Sequence, residues 1–274
     1  MYLILVIFIF IVILCLYLYL VWPRTSAREQ MERFEHTLFA HRGYHCAARG
    51  IPENSMPAFR AAVKKGYGIE LDVHLTRDGK LAVFHDDDLM RVCKSSESVE
   101  DLTYKELGRY HLLDTKEHIP LFTDVLSLVN GQVPLLIEMK IPSSSTAICS
   151  ALYDALKNYK GPFLVQSFNT MGIRWFRLHA PKVLRGQLSD NLTKKKSKEP
   201  WVLRFMVRHL LTNALGRPDF ISYKLADLPS FSVSVLRALA HTPVAVWTLR
   251  TEAALEEGIR CYDMQIFEKQ NENY

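Results

Sequence analysis

The chain opens on an unbroken apolar run, Tyr2 to Trp22, without a charged residue and rich in Ile, Leu, Val and Phe. About 20 such residues cross a bilayer as one helix, with Tyr17, Tyr19 and Trp22 placed as an interfacial belt and Pro23 ending it. The pattern then changes. Strict alternation in Ile69-Glu-Leu-Asp-Val73 predicts a strand with Glu70 and Asp72 on one face and Ile69, Leu71 and Val73 on the other. Asp78-Gly79 predicts a two-residue hairpin turn, so the chain returns through Lys80–Phe84 and sets Asp72 opposite His85. Further strand-like runs are Thr37–Ala40, Pro134–Glu138, Phe163–Ser167, Val183–Gln187, Phe220–Tyr223, Pro243–Trp247 and Met264–Phe267. Between them, helical spacing covers Ser55–Gly66, Tyr104–Leu113, Thr123–Val129, Thr146–Tyr159, Thr170–His179, Pro200–Leu215, Ser232–His241 and Glu252–Ile259.

Strands alternating with helices of this length imply a parallel sheet. The arm returning after Gly79 cannot be parallel, because a tight turn joins only antiparallel neighbours. Removing it leaves eight strand–helix units, the number of a (β/α)8 barrel, with a β-hairpin inserted after the second strand and one transmembrane helix in front. A doubly wound open sheet fits less well, since no glycine-rich phosphate loop follows the first strand. The organisation is therefore an anchor over 1–23, a tether or helical lead-in over 24–36 and a barrel over 37–274.

Composition adds limits. Of 274 residues, 49% are hydrophobic, enough for a sizeable core. A net charge of +5 suits anionic substrates or a membrane surface and is too weak to argue for nucleic acid. The leading segment lacks the basic n-region and small-residue cleavage site of a signal peptide, so it reads as an uncleaved anchor of a single-pass protein. Arg24, Arg28 and Arg33 follow it and place the domain on the cytoplasmic side. Cys15, Cys46, Cys93, Cys149 and Cys261 are scattered without metal-type spacing, as free thiols of a reducing compartment are.

In a barrel the chemistry gathers at the C-terminal ends of the strands. His41 and Arg42 follow the first strand, Glu70 and Asp72 lie on the second, and Glu138 and Lys140 come with the next parallel one. Carboxylates two residues apart on a strand need a cation between them, and a divalent metal with His85 beside it for proton work is the economical occupant. Glu53 is placed to orient Arg42; Asn54 suits either a helix N-cap or a position near the metal. Trp247, ending the seventh strand, is expected to line a substrate pocket. His74 is placed on the face opposite Asp72 and, with His45, left out as solvated or supporting. The stretch 191–218 joins Lys194, Lys195, Lys196 and Lys198 to Trp201, Leu203, Phe205, Met206, Leu210 and Leu211. It could dock on an anionic bilayer, but packing of the apolar stripe on the barrel as its sixth helix, with the lysines in a solvated loop, is the simpler expectation.

His41-Arg-Gly43, Pro52-Glu-Asn54, Glu70-Leu-Asp72, Thr76-Arg-Asp-Gly79, His85-Asp86 and Glu138-Met-Lys140 together resemble the glycerophosphodiester phosphodiesterase family. The likeness is specific from His41 to Lys140; beyond that it rests on Ser167-Phe168, Val246-Trp-Thr248 and the general architecture. It implies a TIM-type barrel and Ca²⁺ or Mg²⁺ held by Glu70, Asp72 and Glu138. It also implies His41 and His85 as the acid–base pair, and Arg42 and Lys140 as phosphate-binding residues. The implied reaction is hydrolysis of a small glycerophosphodiester to glycerol 3-phosphate and an alcohol. A lysophospholipase D acting on membrane lysophospholipids, or a non-catalytic membrane-anchored binding module, are the alternatives. Two positions depart from the family pattern: Ser55 stands where many members have Thr, and the last strand ends Ile266-Phe-Glu268 rather than in Thr-Asp.

Overall fold

The computed structural model describes residues 1–142, 145–194 and 200–269; Lys195, Lys196 and Lys198 of the basic run lie outside them. Nine strands form one sheet: β1 (Leu38–Ala40), β2 (Gly68–Leu75), β3 (Leu81–Val83), β4 (Leu135–Met139), β5 (Phe163–Ser167), β6 (Arg185–Ser189), β7 (Phe220–Lys224), β8 (Val244–Leu249) and β9 (Met264–Phe267). Their order is β1-β9-β8-β7-β6-β5-β4-β2-β3, and β1 also pairs with β2. Among the described residues the sheet therefore closes on eight parallel strands, and only β3 of its strands pairs antiparallel, with Val73–Leu75 of β2. This is the TIM-type (β/α)8 barrel expected from the strand count.

The helices are α1 (Tyr2–Val21), α2 (Arg28–Glu32), α3 (Met56–Lys65), α4 (Met90–Cys93), α5 (Tyr104–Leu107), α6 (Phe122–Val129), α7 (Ala147–Leu156), α8 (Thr170–His179), α9 (Trp201–Arg208), α10 (Asn213–Gly216), α11 (Phe231–Ala240) and α12 (Glu252–Cys261). Two predicted helices are shorter than their spacing implied. The run Pro200–Leu215 breaks into α9 and α10 at Leu210, whose φ of 58° is incompatible with a continuing helix. The stretch from Tyr104 ends at Leu107, with Gly108 at the C-cap and the next N–H groups, of Arg109 and Tyr110, bonded to carbonyls only three residues back. Strand β6 starts two residues later than predicted and includes Gln187 and Ser189. Both side chains are buried and bonded to main-chain carbonyls, Gln187 to Ser167 and Ser189, which lies beyond the predicted end of the strand, to Val207.

Alternation divides the strands into two apolar layers. Ile69, Leu71 and Val73 of β2 face outward, with Leu135, Ile137 and Val165, onto Phe59, Val125, Leu152, Ile173 and Leu236 of the helices. Phe39, Leu136, Leu164, Phe220, Met264 and Ile266 fill the barrel interior. Gly68 leaves room there, since a Cβ on it would stand 2.7 Å from the Phe39 ring. Ala27, Met31 and Phe34 join this inner cluster, so α2 and the turn after it plug the barrel at the N-terminal ends of the strands.

The hairpin differs from expectation by one residue. Val73 pairs with Val83, His74 with Ala82 and Leu75 with Leu81. A two-residue type I′ turn needs positive φ at both central residues, and here Gly79 has it (74°) while Asp78 does not. Asp78 instead accepts hydrogen bonds from Thr76 Oγ1 (2.6 Å) and the Tyr104 N–H (3.0 Å), and the loop comprises Arg77, Asp78 and Gly79. The cross-strand neighbour of Asp72 is consequently Phe84, whose N–H reaches the Asp72 carbonyl at 3.1 Å, and His85 comes one residue later. The excursion is also larger than a hairpin. From Ala82 to Ile119 it has its own core of Phe84, Leu89, Val92, Leu102, Leu107 and Leu112.

Candidate active site

Above the apolar interior, the inward positions turn polar at the C-terminal end. Asp72 pairs with Glu138 across β2 and β4, and Glu138 with Gln166 across β4 and β5, so three polar side chains stand in one row. Glu70, Asp72 and Glu138 are all buried, and their carboxylate oxygens lie within 4.8 Å of one another. Lys140 Nζ bridges Glu138 (2.5 Å) and Asp72 (2.9 Å). Burial, then repulsion from Asp72 and Glu138, pushes the Glu70 carboxyl well above its ordinary range. Burial acts the same way on Asp72, but Lys140, His85 and Arg42 outweigh it and hold that carboxyl below the usual range.

The turn after β1 is shaped to meet this triad. Arg42 (φ 56°) and Gly43 (φ 79°) are both left-handed, a conformation costing a non-glycine residue about 1–3 kcal/mol. Neighbouring bonds hold it: the Arg42 N–H donates to Glu70 Oε2 at 3.1 Å and its carbonyl accepts from the Asn54 N–H at 2.9 Å. Gly43 cannot be larger, because a Cβ would lie 2.9 Å from the Ala58 Cβ of α3. The Arg42 guanidinium bonds Glu53 at 2.8 Å and stands 3.7 Å from Asp72. Helix α3 is capped by Ser55, whose hydroxyl accepts from the Ala58 N–H. Asn54 is therefore free of capping duty, and its Nδ2 donates to Asp72 Oδ2 at 2.9 Å. Its Oδ1 is buried without a hydrogen-bond partner among the described residues, as are Gln166 Oε1 and Trp247 Nε1. Three buried carboxylates beside an unpartnered amide oxygen form a set of hard donors that suits a divalent cation.

The two histidines each have a carboxylate on Nδ1. His41 Nδ1 is 3.1 Å from Glu268 Oε2, which Arg250 also holds at 2.9 Å. Burial drives the His41 pKa down to about 4, only partly offset by the hydrogen bond to Glu268. At pH 7 the neutral ring then exceeds the charged one by about a thousandfold. Because a carboxylate only accepts, Nδ1 of that neutral ring carries the proton and Nε2 keeps a lone pair. His85 Nδ1 is 2.6 Å from Asp86 Oδ1, and Arg91 Nε holds the other Asp86 oxygen at 2.6 Å. Arg91 also reaches Glu53 at 2.5 Å, so a chain of ion pairs runs from Arg42 through Glu53, Arg91 and Asp86 to His85. Both histidines are near enough to Asp72 for its charge to act on them.

The structure thus gathers His41, Arg42, Glu53, Asn54, Glu70, Asp72, His85, Glu138 and Lys140 at one end of the barrel. Trp247 is half-buried on the rim, packed on the interior cluster and edge-on to Phe168 at 5.9 Å. His74 corrects an expectation. Two residues after Asp72, it shares that side of β2, is fully buried, and its Nε2 lies 3.4 Å from the His85 carbonyl. Glu268, Asp86, Arg91 and Arg250 were not assigned from sequence. The signals were there for two of them: Asp86 directly follows His85, and Glu268 ends the last barrel strand.

The profile of the glycerophosphoryl diester phosphodiesterase family matches residues 41–271. The chain belongs to that family. Among curated relatives, a glycerophosphodiester phosphodiesterase of Bacillus altitudinis is 40% identical over 114 residues, 39% of this chain and 45% of that one. One from Caldanaerobacter subterraneus is 32% identical over 166 residues, 55% and 65% of the two chains. The alignments therefore span about half to two thirds of these relatives' length. A phosphodiesterase from Oleispira antarctica, solved with its product sn-glycerol-3-phosphate, shares the fold, with a TM-score of 0.69 at 22% identity over 86% of this chain and 94% of that one.

Proposed function

We propose that the protein hydrolyses small glycerophosphodiesters to glycerol 3-phosphate and an alcohol. The observation that carries this reading is the pair His41–Glu268 and His85–Asp86 set around the Glu70, Asp72 and Glu138 triad. The names of the family's relatives and the product held by the Oleispira enzyme support the substrate class. Ca²⁺ or Mg²⁺ held by the triad would stabilise negative charge on the non-bridging phosphoryl oxygens.

The chain's own groups account for the rest. Arg42 and Lys140 orient the phosphodiester and offset its charge. His41, neutral and fixed through Nδ1, takes at Nε2 the proton of the attacking hydroxyl, from water or from the glycerol 2-position. As the new P–O bond forms, the bond to the alcohol breaks, and His85 gives its Nε2 proton to the departing oxygen; attack by water yields glycerol 3-phosphate directly, whereas attack by the 2-hydroxyl yields a cyclic phosphate that a water molecule then opens. Asp86, held by Arg91, keeps Nδ1 of His85 protonated so that Nε2 faces the reaction. Trp247 supplies an apolar wall for the bound diester. Helix α1 reads as a single membrane anchor by length and composition, and Arg24, Arg28 and Arg33 after it favour a cytoplasmic barrel.

The test is a product assay on glycerophosphocholine, glycerophosphoethanolamine and lysophosphatidylcholine, with EDTA and after return of each cation. Glycerol 3-phosphate should appear from the soluble diesters, stop with EDTA and resume on adding Ca²⁺ or Mg²⁺. His41→Ala and His85→Ala should each lower kcat at least about a thousandfold at a native melting temperature. Near-native turnover by either variant removes that histidine from the mechanism, and turnover confined to the lipid moves the reading to a lysophospholipase D.

A further inference from the structure

Helix α1 is fastened to the barrel in a defined direction. Tyr17 bonds Ser232 at 3.0 Å and its ring meets Phe231 at 5.8 Å, in the first turn of α11. That turn follows β7 and so lies at the catalytic end. Past the helix, the Arg24 side chain bonds Asp219 and the Pro181 carbonyl, which precede β7 and β6 and so lie at the plugged end. Between these points Arg217 and Asn213 bond the carbonyls of Tyr19, Val21 and Trp22. The last turns of α1 thus run down the flank of the barrel, and its exposed remainder, Tyr2 to Leu16, projects beyond the catalytic rim.

That remainder is about 15 residues, or roughly 22 Å at 1.5 Å each. A hydrocarbon core is about 30 Å thick. If α1 crosses it, the rim must sink about 8 Å toward the lipid, and what stands on the rim in that sector is apolar. Helix α9 is tied to the strand ends, the Val207 carbonyl by Ser189 of β6 and the Arg208 carbonyl by Tyr223 of β7. Its orientation is the reverse of a packing helix. Arg204 and Arg208 reach back to Leu192 and Thr193, and Val207 is buried, whereas Trp201 (58% exposed), Val202 (62%) and the stacked Phe205 look outward. Phe231, 72% exposed beside Tyr17, belongs to the same sector. The sixth-helix packing expected from the sequence therefore holds only for the second half of this segment, where Leu210 and Leu211 join the outer core, and not for Trp201, Leu203 and Phe205. An interfacial helix buries its apolar face about 5–10 Å into the headgroup boundary, which matches the missing length.

We propose that α9 and Phe231 dock in the bilayer that holds α1, so that the active-site mouth opens against the membrane surface. The occupant is lipid, because Phe231 packs on Tyr17 of α1 and α9 is tied to the ends of β6 and of β7, the strand that leads into α11. This rests on reading α1 as an anchor.

The test uses the full chain in phosphatidylcholine vesicles containing lipid brominated at shallow chain positions. Trp201 emission, taken as wild type minus Trp201→Phe, should fall by about half. With Trp201→Phe as background, Phe231→Trp should be quenched similarly, and Leu239→Trp, at the far end of α11, should not. Quenching of Leu239→Trp instead would reverse the orientation and overturn the proposal. So would an unquenched Trp201 in a chain that floats with the vesicles, a face left for a protein partner. A chain released from the vesicles by alkaline carbonate would show that the anchor reading itself had failed.

Discussion

Glu268 shows what a single residue contributes. Its carboxyl is held at about 2, where hydrogen bonds and charge from His41 and Arg250 outweigh burial. It stays anionic and accepts the His41 Nδ1 proton at any working pH. Glu268→Gln offers an amide that can donate to Nδ1 and trap the wrong tautomer, so kcat should fall by up to about ten-thousandfold, by analogy with the Asp→Asn effect in a Ser-His-Asp triad, with KM within about twofold. The Glu268 bond raises the His41 pKa, so losing it lowers that pKa further. The acid limb of kcat/KM, set by His41 near pH 4, should move to lower pH in this variant. A limb that moves up, or a change in KM alone, would exclude Glu268 as the group that positions His41. The sequence showed that the last strand departs from the family ending; that Glu268 faces His41, 227 positions earlier, was not legible.

At the scale of elements, the close approach of the β1 turn to α3 explains the His41-Arg-Gly43 sequence. Gly43→Ala introduces both a left-handed alanine and a contact of 2.9 Å with Ala58. Stability should drop by roughly 1–3 kcal/mol in denaturant titration, and Arg42, displaced from Glu70 and Asp72, should bind the diester more weakly, seen as a raised KM. A variant with unchanged midpoint and KM would refute this account of the turn. Helix α3 shows the other extreme. Gly66 marked its end in the sequence and Asn54 or Ser55 its start, because caps are local chemistry; the structure selects Ser55. The β2–β3 register was not legible at that level, since Asp78 is drawn into bonds with Thr76 and Tyr104, the latter 26 residues away.

For the whole molecule, the stretch between anchor and barrel is part of the fold. Phe34 is fully buried in the inner cluster against the base of the barrel. Phe34→Ala should cost about 3–5 kcal/mol while leaving kcat of the residual folded protein near normal, because the plug and the site occupy opposite ends. Parallel stability and activity curves across temperature would check this; loss of kcat in fully folded protein would couple the plug to the site.

The strand count, the hairpin, the helix caps and nearly all the charged groups of the site follow from the sequence. Each depends on short-range periodicity or on motifs within a few residues. The Glu268 partner of His41, the plug and the outward face of α9 were decided by tertiary structure. All of these depend on which distant residue meets which when the sheet closes, and closure is set by the packing of the entire barrel rather than by any local pattern.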